Sequence, residues 1–507
     1  MKSPFSTSLE QFAADGWGRV DDTCRKAFFW AIAINVLAFG FEMTNLTLNH
    51  DDVGQIFIQD TILGHYLGRF GSGWLHYYTQ NHYVMPFLQM AEGILLMSAY
   101  GVVVARFWGA RKTMDVALVA SVLCVFPYMA HVYQFNTAMA LYPLAHLLVA
   151  LAVVSAVRAT VRGVAIAAAL YVAAFSIYQS VAANAATLFV VWLLTRILFR
   201  GEGQTVTAGQ VARSTIAVLT SVVAAGAIYL AVVSMMYVEF DTDHSAEEAF
   251  RLGGALDLAY TIPAVWTGTR SFFLWPQAYF PDYLKAIQLA FLAAAGAVCL
   301  WRPVRISAKL AAATLLGLSM IAPRALQFLH PHGSYHHLAL TAYAIVVAAA
   351  VMIVARSGST IARNVSIVLA AFLLAGYVMQ CNWISTVNYL NTQAHFNTLT
   401  QVLARLRSLP APQWDGKKVA VVGGYEMPGE YPFRLAPGVA NKFMDATHMN
   451  LLARLLRDEA RFVDADSTMQ EIMEYARTHG PWPRPDSVGV VGGVGVVVFS
   501  RLRETPR

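Results

Sequence analysis

Asn49-His50-Asp51-Asp52 places two adjacent carboxylates directly after a long apolar run. If both enter a protein cavity, their mutual repulsion raises one pKa while a neighbouring cation lowers the other. Such a pair suits a general base that deprotonates a hydroxyl, or ligation of a divalent cation. A solvated helix cap, with Asp at the N-cap, accounts for the same letters.

Further on, Leu63, Tyr66, Leu67, Phe70 and Trp74 recur at the spacing of one helix face, interrupted by Gly68, Gly71 and Gly73. A helix of this kind outside the spans can lie in the membrane interface. Arg69 on it reaches for a phosphate or snorkels to headgroups. Ser176-Ile177-Tyr178-Gln179-Ser180 joins two apolar runs almost without a loop, offering hydroxyls and an amide to a sugar or to the exposed backbone of a tight turn. Tyr133, Gln134, Phe135 and Asn136 carry the same ambiguity.

Pro323-Arg324 precedes His330, His332, His336 and His337. A guanidinium at the end of a span can clamp a lipid-linked phosphate through paired, charge-assisted hydrogen bonds. The histidines do not have a recognised metal-ligand spacing and read as polar or phosphate contacts. Glu92 is the acid within the second apolar run and is expected to face the interior, with Glu42 as neighbour. The 237–283 stretch mixes acids with Trp266, Trp275 and Tyr279, either a sugar groove or an acidic loop beside an aromatic belt.

These residues need a scaffold, and composition supplies its class. The chain is 57% hydrophobic and 13% charged, which excludes a soluble monomer, a disordered chain and a collagen-like one. About eleven apolar runs of membrane-crossing length lie near 27–47, 84–105, 114–132, 137–157, 163–179, 183–200, 214–236, 284–301, 308–323, 337–355 and 362–381. Basic residues gather at alternate junctions, among them Arg106, Arg111 and Lys112, then Arg356 and Arg363. The positive-inside rule puts residues 1–26 in the cytoplasm and the C-terminus outside. The formal charge of +6 is therefore a topology signal rather than a nucleic-acid one. Four scattered cysteines show no disulfide framework.

Composition changes near residue 382: the last 126 residues hold 14 basic and 12 acidic side chains. We expect a polytopic α-helical membrane domain over 27–381, with outer loops 48–83, 237–283 and 324–336. A soluble α/β domain over 382–507 follows on the outer face. Within it 385–409 and 448–478 read as helical, 419–424 as β-rich, and 488–500 as a terminal strand. The glycines of VGGVGVVV do not read as a dinucleotide site, because no βαβ unit surrounds them.

The order of these features resembles the GT-C superfamily of integral-membrane glycosyltransferases, and within it the bacterial Gtr type II glucosyltransferases that modify O-antigen and related surface glycans. The resemblance rests on NHDD at 49–52, LGRFGSGW at 67–74, FPYMAHVYQFNTAMALYPLA at 126–145, SIYQS at 176–180 and PR at 323–324. It implies a polyprenyl-phosphate-linked hexose, glucose by family, as donor and a glycan as acceptor, at the outer face of the bacterial cytoplasmic membrane. It implies direct displacement with inversion, Asp51 as base and Asp52 as its positioning partner, and Arg324 with Arg69 on the leaving phosphate. His50, Tyr178, Gln179, His330 and His332 would contact substrate. No cofactor is implied, and a divalent cation stays open. A flippase for polyprenyl-linked sugars, or a transferase of an arabinosyl, mannosyl or aminosugar unit, is the alternative.

Overall fold

The computed structural model describes residues 20–48, 68–80, 83–199, 207–239, 257–302 except 278, 304–409 except 332–334 and 336, 414–426 except 415, 443–500 except 467, and residues 18 and 52. His50, Asp51 and His332 lie outside the described residues, as do 53–67 and 240–256.

The helices are α1 (Asp22–Thr44), α2 (Phe70–Gln80), α3 (Pro86–Phe107), α4 (Thr113–Cys124), α5 (Tyr128–Tyr133), α6 (Leu141–Ala156), α7 (Val161–Ile177), α8 (Ala182–Leu198), α9 (Ala208–Glu239), α10 (Leu258–Leu274), α11 (Asp282–Trp301), α12 (Ile306–Ile321), α13 (Tyr343–Ala355) and α14 (Thr360–Ser408). Among the described residues eight helical stretches are long and apolar enough to cross a membrane, and α4, α6 and α7 are shorter apolar helices at the three remaining expected positions. Polar caps mark several helix starts: Asp21 accepts from Cys24 N, Thr160 from Gly163 N and Ser359 from Ala362 N. The all-round apolar α13 is wholly buried and forms the centre around which α4, α8, α11 and α14 pack.

Two expectations change. The third apolar run does not continue to 132: α4 stops at Cys124, and Pro127, which lacks an N–H, precedes the restart at Tyr128. The expected 237–283 loop contains α10, which packs on Ala322–Phe328. The helix expected over 385–409 is the second half of α14, which runs unbroken for 49 residues, about 74 Å at the helical rise, through the change of composition near residue 382.

The far end of α14 joins a four-stranded sheet of β1 (Lys418–Val422), β4 (Arg461–Asp464), β5 (Val488–Val491) and β6 (Val494–Val498) in the order β4-β1-β6-β5. β1 is parallel to β4 and β6, and β5 is antiparallel to β6. A two-stranded pair, β2 (Tyr425–Glu426) with β3 (Phe443–Met444), lies beside it. One face packs Val419, Val421 and Val497 against Leu399, Val402 and Leu406 of α14 and against α15 (Ala446–Leu455); the other packs Ala420, Val422 and Val496 against α16 (Gln470–Thr478). The 448–478 stretch is thus two helices separated by β4, and 488–500 is a hairpin turned by Gly492 and Gly493, both at positive φ.

Candidate active site at one end of the helical bundle

The Pro127 break redirects the chain. Instead of one long helix, α5 and the turn after it carry Tyr128 through Asn136 across the end of the bundle, about 12 Å if helical throughout. At the far end of this segment Asn136 meets Asp52. Its backbone N–H donates to Asp52 Oδ1 at 2.9 Å, and its side-chain Nδ2 donates to Oδ2 at 2.7 Å and to the Thr47 carbonyl at 2.8 Å. Asp52 is fully buried. A carboxylate that accepts on both oxygens from one residue is fixed in position and orientation, and charge-assisted bonds of this kind are the strong ones.

The buried Glu42 side chain lies next in the same chain of contacts. It accepts from the Thr47 hydroxyl, and Ser385 and Asn388 of α14 face the same carboxylate. Glu92, expected to be its interior neighbour, is only half-buried. Leu48 donates its N–H to Thr392 Oγ1 and packs its side chain into the core against Leu399 of α14, so the segment entering the acidic pair is pinned to α14.

Asn388, Asn391, Thr392 and His395 recur at i, i+3, i+4 and i+7 on one face of α14. Both amide atoms of Asn391, both of Gln134, Asn136 Oδ1 and His395 Nε2 are buried without a hydrogen-bond partner among the described residues. Buried polar groups are normally paired, and those that are not call for water, ligand or function. This wall carries amides and an imidazole but no guanidinium or ammonium group, which suits hydroxyls rather than a phosphate.

Two clusters that are remote in sequence meet nearby. Arg69 Nη1 donates to Tyr142 Oη at 3.1 Å, and its guanidinium lies 5.0 Å from the Tyr178 ring centre, with Tyr142 and Tyr178 stacked at 4.2 Å. A Cβ at Gly71 would sit 2.1 Å from Ser176 Oγ, so only glycine permits this approach. Gln179 donates to Tyr229 Oη, which donates to the Gly68 carbonyl, both at 2.9 Å. LGRFGSGW and SIYQS thus form one unit, in which Arg69 is held by aromatic groups.

Arg324 occupies the turn Ala322–Phe328 at the same end. Its Nε donates to Tyr343 Oη at 3.1 Å and Nη1 to Gln327 Oε1 at 3.3 Å, while Nη2 has no partner among the described residues. The guanidinium rests on the α10 backbone: a Cβ at Gly268 would meet Cζ at 2.2 Å. Tyr128 feels its charge and packs in one aromatic cluster with Tyr279 and His337, with Tyr279 Oη 3.2 Å from His131 Nδ1 and the Tyr343 ring stacked on Phe272 at 3.8 Å. Burial pushes the Tyr335 phenol up to about 12 against the pull of Arg324, so it stays a hydrogen-bond donor at neutral pH. His330 is half-buried, and its carbonyl accepts from Tyr335 Oη at 2.8 Å. Among the described residues no three His, Cys, Asp or Glu side chains converge as a metal site.

Residues 40–404 match the family model described as Glucosyl transferase GtrII. The chain belongs to the GtrII glucosyltransferase family. The match covers α2 to α13, most of α14, and every site residue described above. Comparison with curated proteins finds no match. As a member of the GtrII family the chain is a glycosyltransferase of the membrane, with a sugar donor and an acceptor as its substrates.

Of the residues the sequence pointed to, Asp52, Arg69, Tyr178, Gln179 and Arg324 lie at this end of the bundle. The residues that hold them are Asn136, Tyr142, Tyr229, Tyr343 and Gly268. Asn136 had been one of several polar letters in a turn, Tyr142 stood within the 126–145 stretch that carried the resemblance, and the other three had no signal of their own.

Proposed function

We propose that the protein is an inverting glucosyltransferase that takes glucose from a polyprenyl-phosphate carrier and attaches it to a hydroxyl of a surface glycan of the O-antigen class. It acts at the outer face of the bacterial cytoplasmic membrane, with its N-terminus cytoplasmic and residues beyond about 382 outside. The observation that supports this reading is the Asn136 clamp on Asp52, a buried carboxylate whose two oxygens are both held by one residue.

In this reading Asp51 takes the proton from the acceptor hydroxyl while Asp52, already committed to Asn136, orients it. The acceptor oxygen attacks the anomeric carbon, the bond from that carbon to the phosphate oxygen breaks, and polyprenyl phosphate departs with the electron pair. Arg324 stabilises the charge gathering on the leaving phosphate through Nη2. Gln134, Asn391 and His395 receive acceptor hydroxyls. Arg69, already engaged by Tyr142 and Tyr178, shapes the donor entrance more than it grips the phosphate.

The test is transfer of labelled glucose from polyprenyl-phosphate glucose in membranes containing the protein. Asp52→Asn, folded and inserted, should lose transfer by at least about a hundredfold, the scale of an electrostatic catalytic group. Full activity in that variant and in Asp51→Asn would remove the assignment.

A further inference from the structure

At the opposite end of the bundle, where α4 and α14 begin, a cavity of about 380 Å³ opens between the turns Gly109–Asp115 and Ala355–Arg363. It lies about 38 Å along α14 from Ser385, a membrane's thickness from the candidate active site. Arg111, Lys112, Arg356 and Arg363 line it, with Asp115 as the one carboxylate. Arg363 is committed to that carboxylate, at 2.8 Å from Nη2 to Oδ1, and Asp115 is only 4% exposed. Arg356 is also held, its guanidinium 3.9 Å from the Phe199 ring centre and its Nη1 on the Trp108 carbonyl at 3.3 Å. In the same turn the Ser357 hydroxyl is buried without a partner among the described residues. The cavity therefore holds excess positive charge, with Arg356 and Arg363 held in place and Arg111 and Lys112 exposed at its edge.

What lies beside it identifies the ligand. Ile361, Val365, Val368 and Phe372 descend α14 from the rim at i, i+4, i+7 and i+11, all more than half exposed. A soluble anion has no use for that stripe, whereas acyl chains do.

We propose that this cavity binds the phosphate headgroup of an anionic phospholipid, with its acyl chains lying along the exposed face of α14. Basic residues scattered for topology alone would fan outward into the headgroup layer; here they converge on one concavity that continues into an apolar track.

The test uses native mass spectrometry of the full chain equilibrated with equimolar phosphatidylglycerol and phosphatidylcholine, with inorganic phosphate alone as a separate arm. Phosphatidylglycerol should be retained over phosphatidylcholine. The double variant Arg111→Ala/Lys112→Ala alters two exposed side chains and should weaken retention about 25-fold, at roughly fivefold per juxtamembrane basic residue. Arg305→Ala, exposed outside the cavity, should not change it. Equal retention of the two lipids, undiminished retention in the double variant, or retention of inorganic phosphate without phosphatidylglycerol would each overturn the proposal.

Discussion

Asn136 donates to both oxygens of Asp52 from 84 positions away in sequence, once through its backbone and once through its side chain. Asn136→Ala keeps the first bond and removes the second, together with the bond to the Thr47 carbonyl. A hydrogen bond to a charged group contributes about 1.5–3 kcal/mol, so the turnover of glucose transfer should fall roughly 10- to 100-fold. Asn136→Asp should be worse, because it sets a second carboxylate against the first. Steady-state kinetics in membranes checks both; unchanged turnover in Asn136→Ala would show that the orientation of Asp52 is immaterial.

Gly268 and Arg324 support a sharper test of the phosphate site. An added Cβ at Gly268 meets the end of the arginine side chain, which can swing away, so Gly268→Ala should fold normally while displacing the guanidinium. The expected outcome is a KM for the lipid-phosphate donor raised about tenfold, the value of one charge-assisted contact, with thermal stability close to that of the parent protein. A donor KM that did not move would place the phosphate elsewhere.

Arg69 behaves differently, because its planar group makes a hydrogen bond to Tyr142 and lies over Tyr178. Lysine keeps the charge but loses the fork and the stacking plane. Arg69→Lys should therefore destabilise the detergent-solubilised protein by about 1–2 kcal/mol, read as a lower unfolding midpoint. Tyr178→Phe, which preserves the ring, should leave the midpoint nearly unchanged.

These three tests follow the line between what was legible in the sequence and what was not. NHDD, LGRFGSGW and SIYQS stand out because rare polar letters interrupt apolar runs, and Asp52, Arg69, Tyr178 and Gln179 from them lie at the end of the bundle where chemistry is expected. Their pairings did not stand out: Tyr229 sits in an apolar helix where an aromatic residue is unexceptional, and although Tyr142 falls in the 126–145 stretch, nothing local marks a partner dozens of residues away. Helix positions came through as apolar runs of membrane-crossing length, but Pro127 shortened the third run by redirecting it. β4 was hidden because four residues are too few for alternation to distinguish from a helix segment. The helix after residue 382 was legible, but not that many of its polar letters form one buried face.

That face provides the most discriminating prediction. Asn391 is fully buried with both amide atoms unpaired among the described residues, and His395, 2% exposed, has an unpaired Nε2. An unpaired buried amide costs stability, roughly 1–3 kcal/mol, so an apolar residue of similar size relieves the penalty. Asn391→Leu should therefore leave the unfolding midpoint unchanged or raise it. If the amide receives acceptor hydroxyls, the same substitution should raise the acceptor KM about tenfold while the donor KM stays constant. A merely structural asparagine would show the reverse pattern, a lower midpoint with both KM values intact. Measuring the midpoint and the two KM values on one variant thus separates packing from recognition on α14.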